Sequence, residues 1–436
     1  MSKHTELIVG LDIGTTKICC MVARVNQYQK LEILGFGKAE SFGVKRGVVE
    51  NIDKTVDSIK LAVADAERTS GVNIRKVYVG IAGQHIRSMQ QQGILTRSTG
   101  MDEVREDEVQ QLIEEMHLTA LNPGERIIHV IPQEFMVDGQ SDIKDPVGMC
   151  GSRLMGNFHI ITGQISAAQN IERCVRKAGL EMAGLILEPL ASSSAVLSAE
   201  EKEAGVALVD IGGGTTDVAI FVDEIIRHTA VIPMGGDIVT NDIKEGCKIM
   251  KKQAEAIKTK FGSALADETQ DNEVISVPGL SGRDPKEISV KNLAKIIQAR
   301  VEEIVEQINF EIKHSGYSNK LIGGVVITGG GSQLKHLKQL VEYMTGLETR
   351  IGFPVEHLSK GYAKEVTSPV YSTCIGLLLR GFDVNKRLNG HEPMVQMKAV
   401  DEPVKTEVPA AETKDAAGNV TDDNKNEAAS ETSDRP

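Results

Sequence analysis

Val206-Ala-Leu-Val-Asp-Ile-Gly-Gly-Gly-Thr-Thr-Asp-Val-Ala-Ile-Phe221 leads an apolar run into Asp210, follows it with Gly212, Gly213, Gly214, Thr215 and Thr216, and then resumes an apolar run. The pattern reads as strand, tight turn, strand. Glycines lack a Cβ, so the turn can take positive φ and converge its amide N–H groups on an anion. A phosphate chain fits such a turn. A carboxylate at its mouth repels phosphate unless a hydrated divalent cation stands between them, so Asp210 points to Mg²⁺. Alone, the stretch is equally an ordinary glycine-rich hairpin. It is not alone: Ile8-Val-Gly-Leu-Asp-Ile-Gly-Thr-Thr-Lys-Ile-Cys-Cys-Met-Val-Ala23 repeats apolar strand, Asp-Ile-Gly, two threonines and apolar strand. Asp12 then corresponds to Asp210, Thr15 to Thr215 and Thr16 to Thr216, with two glycines added in the second copy. Two phosphate hairpins in one chain predict two similar α/β halves facing each other across a cleft.

Other residues with the right chemistry follow the same logic. Strand Leu185-Ile-Leu187 runs into Glu188-Pro189, where proline suits the first turn of a helix. That puts Glu188 at the C-terminal end of a strand, where ligands bind in α/β sheets and a carboxylate can orient an attacking water. The plainer alternative is a solvated Glu ahead of a helix. Gly235 and Gly236 open a helix and let backbone approach a ligand. Glu255 and Lys258, three apart, share a helix face, which also describes a surface ion pair. Gly329, Gly330 and Gly331 follow strand Gly324–Thr328 and precede a helix expected to open at Ser332.

The elements that must position these residues are legible in chain order. Leu31–Phe36 alternates as a third strand; Ile52, Val56, Ile59, Val63 and Ala66 recur at helical spacing; Val77–Ile81 returns to strand. Residues 84–162 interrupt this unit with a more polar stretch whose helix places Val109, Leu112, Ile113 and Met116 on one face. No catalytic spacing occurs there, so we read it as an inserted subdomain serving protein contacts. The first half, 1–83 and 163–198, resumes with a helix capped by Ser166 and closed by Gly179. The second, 199–390, includes a smaller lobe at about 238–300, a long helix capped by Ser289 and ended by Gly316, and a last helix capped at Ser368-Pro369 and stopped at Gly381.

Composition bounds the rest. At 436 residues the chain exceeds one core. No apolar run approaches the roughly 18 residues of a membrane span, and Met1-Ser-Lys-His-Thr-Glu6 lacks a signal-peptide core, so a cytoplasmic location is expected. The six cysteines form no Cys-x-x-Cys and the ten histidines no His-x-x-x-His, which argues against zinc and for reduced core cysteines. A net charge of −12 argues against nucleic acid as a partner. Half of it sits in residues 391–436, with 11 acidic against 5 basic side chains and no aromatic, Leu or Ile, so that tail is expected to be disordered.

Two Asp-Ile-Gly hairpins, a Glu-Pro junction and a late triple glycine, in that order, resemble the actin, heat-shock chaperone and sugar-kinase superfamily of ATP-binding proteins. More narrowly, the chain resembles the FtsA family of bacterial cell-division proteins, on His129-Val-Ile-Pro-Gln-Glu-Phe135 and Ile143-Lys-Asp-Pro-Val-Gly-Met149 in the insert, on Leu190-Ala-Ser-Ser-Ser-Ala-Val-Leu197 and on Arg227-His-Thr-Ala-Val-Ile-Pro233. The hairpins belong to the whole superfamily; the insert motifs are far more specific. The resemblance covers roughly residues 6–386. It implies duplicated actin-like, ribonuclease H-like halves around a nucleotide cleft, with a small α/β subdomain inserted at 84–162.

It further implies Asp12 and Asp210 facing hydrated Mg²⁺, with Gly14, Thr15, Thr16, Lys17 and Gly212 through Thr216 on the phosphates of ATP. Gly235, Gly236, Glu255, Lys258 and Gly329 through Gly331 would surround ribose and adenine. Glu188 matches the water-positioning residue of related ATPases, with hydrolysis slow at most. The family links filaments of the tubulin-like protein FtsZ to the inner face of the cytoplasmic membrane at the division site. It receives the FtsZ C-terminal tail near residues 238–300, self-associates through the insert into filaments and meets other division proteins. Members end in a basic amphipathic helix that lies in the membrane surface, whereas this chain ends Ser430-Glu-Thr-Ser-Asp-Arg-Pro436. Weak binding to anionic vesicles is therefore expected of this chain alone, and firm cosedimentation with lipid would contradict it. A metabolite or sugar kinase shares the hairpins but needs an acceptor base not found here. The type IV pilus assembly ATP-binder carries a similarly placed insert, but the His-Val-Ile-Pro-Gln-Glu run speaks against it. A chaperone ATPase needs a substrate domain after the core. Neither Gly-x-Gly-x-x-Gly nor a P-loop Gly-Lys-Ser/Thr appears.

Overall fold

A computed structural model describes residues 7–97, 102–270, 272–279, 283–359, 361 and 364–388. The acidic tail lies outside the described residues. Two five-stranded sheets share one topology. The first runs Leu31–Glu40, Lys17–Val25, Leu7–Ile13, Lys76–Ile81, Glu181–Leu187 from edge to edge; the second runs Ile225–Ile232, Thr216–Val222, Val206–Ile211, Val325–Thr328, Thr349–Ile351. In each, three strands pair antiparallel in chain order and two more add in parallel beside the first. Every residue of Val206–Ile211 and Thr216–Val222 is buried, which explains why these strands read as continuous apolar runs rather than alternating ones.

Local signals set the helices. Asn51 caps Ile52–Ser70 by accepting from the Lys54 amide, and Gly71, at φ 69°, closes it. Ser289 caps Val290–His314, whose stripe Leu293, Ile297, Val301, Ile304, Ile308 and Ile312 is buried. Ser166, expected as a cap, lies inside the helix Ile165–Lys177. The helix expected from Ser332 starts instead at Leu337. Residues Gly330–Gln333 form a 3₁₀ turn, because the Ser332 hydroxyl donates back to the Gly329 carbonyl at 2.7 Å and His336 takes φ 62°.

The last helix departs most from expectation. It runs Ser372–Leu388, straight through Gly381, and packs along strand Leu7–Ile13 and helix Glu188–Val196, meeting the second half at its first turn, where Ser372 and Thr373 hydrogen-bond with Thr328 and Asp210. Glycine at 376 and 381 is a packing device here rather than a stop. A Cβ on Gly376 would run into the Ala191 backbone, and one on Gly381 into the Tyr78 ring. The resulting core joins Ile8, Leu11, Cys374, Leu377 and Leu378. Helix Glu188–Val196 also touches strands of both sheets, so the halves share these two helices as their common wall.

The insert has its own sheet, in the order Arg87–Thr96, Arg153–Gln164, Glu125–Val137, Gln140–Ile143, with helix Glu106–Met116 on one face. Its core gathers Val109, Leu112, Ile113, Phe135, Leu154 and Phe158. The insert also leans on the second half: Gln133 Nε2 donates to the Ile226 carbonyl at 2.6 Å, Gln90 Nε2 to Arg227 O at 3.2 Å and Ser88 Oγ to Thr229 O at 3.1 Å. These side chains satisfy the free edge of strand Ile225–Ile232. Of the cysteines, Cys150 is exposed, unlike the core positions expected for all six. Among the described residues no helix is long and apolar enough to cross a membrane.

Candidate functional site

Cross-strand register aligns the two hairpins differently from their spelling. Ile13 pairs with Ile18 and Ile211 with Thr216, so each turn holds four residues and no glycine is added in the second. In register, Thr15 and Thr16 match Gly213 and Gly214, Lys17 matches Thr215, and Cys19 matches Asp217. The turns close alike, Gly14 N on Lys17 O at 3.1 Å and Gly212 N on Thr215 O at 2.9 Å. They also confront each other. A Cβ on Gly213 would strike the Thr16 side chain, and one on Gly214 the Thr15 side chain. The second turn is glycine because the first carries threonine. No partner among the described residues takes the amides of Thr15, Thr16, Gly213 or Gly214.

Four carboxylates meet where the turns meet. Asp12, Asp210 and Asp217 are buried in strands; Glu188 opens its helix with its side chain lying against Gly80, where a Cβ would come within 2.9 Å of Glu188 Cγ. Lys17 Nζ sits 3.0 Å from Asp12 Oδ2. Asp210 Oδ2 accepts from Ser192 Oγ at 2.5 Å and Thr373 Oγ1 at 3.2 Å. Asp217 Oδ2 accepts from Thr215 Oγ1 at 3.2 Å, while its Oδ1 is buried with no partner among the described residues.

Burial, then the charges of Asp12, Asp217 and Asp210, push the Glu188 carboxyl well above the usual range. Burial and Asp210 do the same to Asp217, and burial raises Asp210 against the pull of the Ser192 hydrogen bond. For Lys17, burial favours the neutral amine, but Asp12 outweighs it and holds the ammonium above its ordinary value. Four acids around one ammonium leave a site short of positive charge. Among the described residues no three His, Cys, Asp or Glu groups are arranged to cage a metal.

The remaining glycines adjoin the second turn. Gly236 N and Asp237 N donate to Gly212 O at 2.9 Å and Gly213 O at 2.7 Å. Lys258 Nζ donates to Gly236 O at 2.8 Å and pairs with Glu255 at 2.7 Å, so this ion pair ties its helix to the glycine turn. Gly329, at φ 80°, would place a Cβ against Ile211 O at 2.6 Å, and Gly331 packs on Ile211, whereas a Cβ on Gly330 would meet only Val370 Cγ2 at 4.0 Å. The structure thus brings the residues singled out in the sequence into one connected patch. Sequence reasoning missed Asp217, Ser192 and Thr373. Asp217 carried a signal, an acid in an otherwise apolar strand. Ser192 lay in a serine run read only as a family mark, and Thr373 arrives from the far end of the chain.

Comparison with known proteins agrees with this architecture. A family model described as "Cell division protein FtsA" matches residues 207–376, and one described as "SHS2 domain inserted in FTSA" matches residues 83–162. The chain is 41% identical over 376 residues to the Pseudomonas aeruginosa cell division protein FtsA, covering 86% of this chain and 89% of that one. It is 35% identical over 400 residues to the Escherichia coli K12 protein of that name, covering 89% and 94%, and 36% identical over 376 residues to that of Bacillus subtilis, covering 86% and 83%. Among solved structures, the type IV pilus biogenesis complex PilM-PilN aligns at TM-score 0.63 and 16% identity, covering 86% of this chain and 98% of that one. MreB5 of Spiroplasma citri, bound to ADP, aligns at 0.54 and 14%, covering 88% and 99%. At such identities these structures speak for the fold: actin-like halves, here with an inserted subdomain. Over most of its length, this chain belongs to the FtsA family of cell-division proteins.

Proposed function

We propose that the chain binds ATP with Mg²⁺ between its two turns and uses that nucleotide in a division assembly that links FtsZ filaments to the cytoplasmic face of the membrane. The observation that carries the nucleotide reading is the meeting of Asp12 and Asp210 across facing turns in which the amides of Thr15, Thr16, Gly213 and Gly214 have no partner among the described residues. The residues suit the group: unclaimed N–H donors take phosphate oxygens, and an orphaned Asp217 oxygen among crowded acids fits a hydrated cation held by carboxylates and phosphate together. Bound Mg²⁺ would neutralise triphosphate charge. Asp12 and Asp210 would hold its water shell, the glycines of both turns would cradle phosphate, and Lys17 would add a point charge beside Asp12. Gly235, Gly236, Glu255, Lys258 and Gly329 through Gly331 would take the nucleoside, and Glu188 would orient water for slow turnover.

Family membership supports the division role, and the insert and the lobe near 238–300 are the surfaces we assign to self-association and to the FtsZ tail. The pilus-type fold neighbour favours no rival reading, because its 16% identity stands against 35–41% for the FtsA relatives. An FtsZ C-terminal peptide should retain this chain on beads, more with ATP than without. Retention no greater than that of a scrambled peptide would refute the linkage.

A proton count follows from the acids. Folded-state pKa values of Glu188, Asp217 and Asp210 are raised, so their contribution to stability is present below the ordinary carboxylate range and is lost as pH climbs through the raised values. A cation that favours the ionised forms must expel those protons. Calorimetric titration with Mg²⁺-ATP in buffers of different ionisation enthalpy is expected to show proton release, and tighter binding at pH 7 than at pH 5. Net uptake would contradict the cation assignment.

A further inference from the structure

We propose that His129, on the inserted subdomain, is a positioning residue for Glu188, acting through the backbone of Leu187. The inference deepens the nucleotide reading above and rests on it. Leu187 N donates to His129 Nε2 at 3.0 Å, and both residues are buried. Strand Glu181–Leu187 is the edge of the first sheet, so the imidazole supplies the acceptor that a further strand would have offered. Leu187 is also the N-cap of helix Glu188–Val196, with no side-chain cap of its own and Pro189 just after it. Strand becomes helix within one residue, and the bond to His129 fixes the Ile186–Leu187 peptide unit, the one immediately before the unit that enters Glu188.

Two further facts make this more than an edge plug. First, the strand carrying His129 touches both halves. Its register on Arg153–Gln164 shifts between Asn157 and Phe158, leaving Gln133 as a bulged residue, and Gln133 is the side chain that reaches Ile226 of the second half. One insert strand thereby holds the wall bearing Glu188 and the wall bearing the second turn. Second, the imidazole is a permanent acceptor: burial, with Arg380 adding to it, pushes its pKa down to about 3, so the ring stays neutral at any working pH.

The test is single-turnover ATP hydrolysis by the full chain in excess over nucleotide, beside affinity for a fluorescent ATP analogue. His129→Leu keeps bulk but loses the acceptor; His129→Gln keeps an acceptor. The expected result is turnover slowed about ten- to a hundredfold in His129→Leu, substantially restored in His129→Gln, with analogue affinity unchanged in both. In a Glu188→Gln background, His129→Leu should cost nothing more. Equal turnover in all variants, or the same slowing with and without Glu188, would overturn the proposal. So would a wild-type chain that binds the analogue yet hydrolyses no faster than solution. A chain that binds no nucleotide would instead sink the reading beneath it. Should the variants not fold, amide exchange in the wild-type chain decides: Leu187 N–H should rank among the slowest, and rapid exchange would overturn the assignment.

Discussion

Asp210→Ala is expected to weaken Mg²⁺-ATP binding by at least about a hundredfold, roughly 2.7 kcal/mol, while changing fold stability by no more than about 1 kcal/mol. The two halves of that expectation have separate causes. The carboxylate is buried and its pKa raised by that burial, so ionising it costs the nucleotide-free fold desolvation energy and alanine removes a group that does not hold the fold together by its charge. The two hydroxyls released are not stranded, because Ser192 Oγ and Thr373 Oγ1 already lie 3.1 Å apart and can pair with each other. Calorimetry for affinity and thermal melting for stability, on the same preparation, read out both. Unchanged affinity would remove Asp210 from the site; a collapsed melting temperature would make it a structural acid.

Gly330→Asp is expected to abolish nucleotide binding just as fully by the opposite route, adding a charge rather than removing one. Its neighbours Gly329 and Gly331 admit no Cβ without displacing Ile211, but the Gly330 position is open and its φ is not in the left-handed region. Aspartate therefore fits the fold and projects a carboxylate where the nucleoside would lie. Gly330→Ala, which fills the same space without charge, should bind within a few-fold of wild type. Equal losses in the two variants would mean that bulk, not charge, decides, and no loss in either would move the nucleoside elsewhere.

The hairpins, the Glu-Pro junction and the insert were legible because each is written contiguously: a strand, its turn and its acid occupy neighbouring positions. Register was not. The order Asp-Ile-Gly-Thr-Thr against Asp-Ile-Gly-Gly-Gly-Thr-Thr invites an alignment by letters, whereas the ladder counts residues between paired strands, and both turns hold four. What the chain assembles from distant parts stayed hidden. Nothing local to Thr373 shows that it will meet Asp210, and Gly381 looks like a helix stop until Tyr78 is found against it. Likewise His129 stood out only as part of a family mark; its bond to Leu187 spans separate domains.

The placement of helix Ser372–Leu388 against the first sheet has a consequence for biosynthesis. An N-terminal product ending before residue 205 would lack the apolar layer that covers Ile8 and Leu11. At about 5–20 residues per second of translation, the ribosome needs on the order of ten seconds or more after making the first half to supply that cover. During that interval the nascent chain carries an open apolar face and is a natural client for holding chaperones. Once finished, the two halves should melt in a single calorimetric transition instead of one after the other.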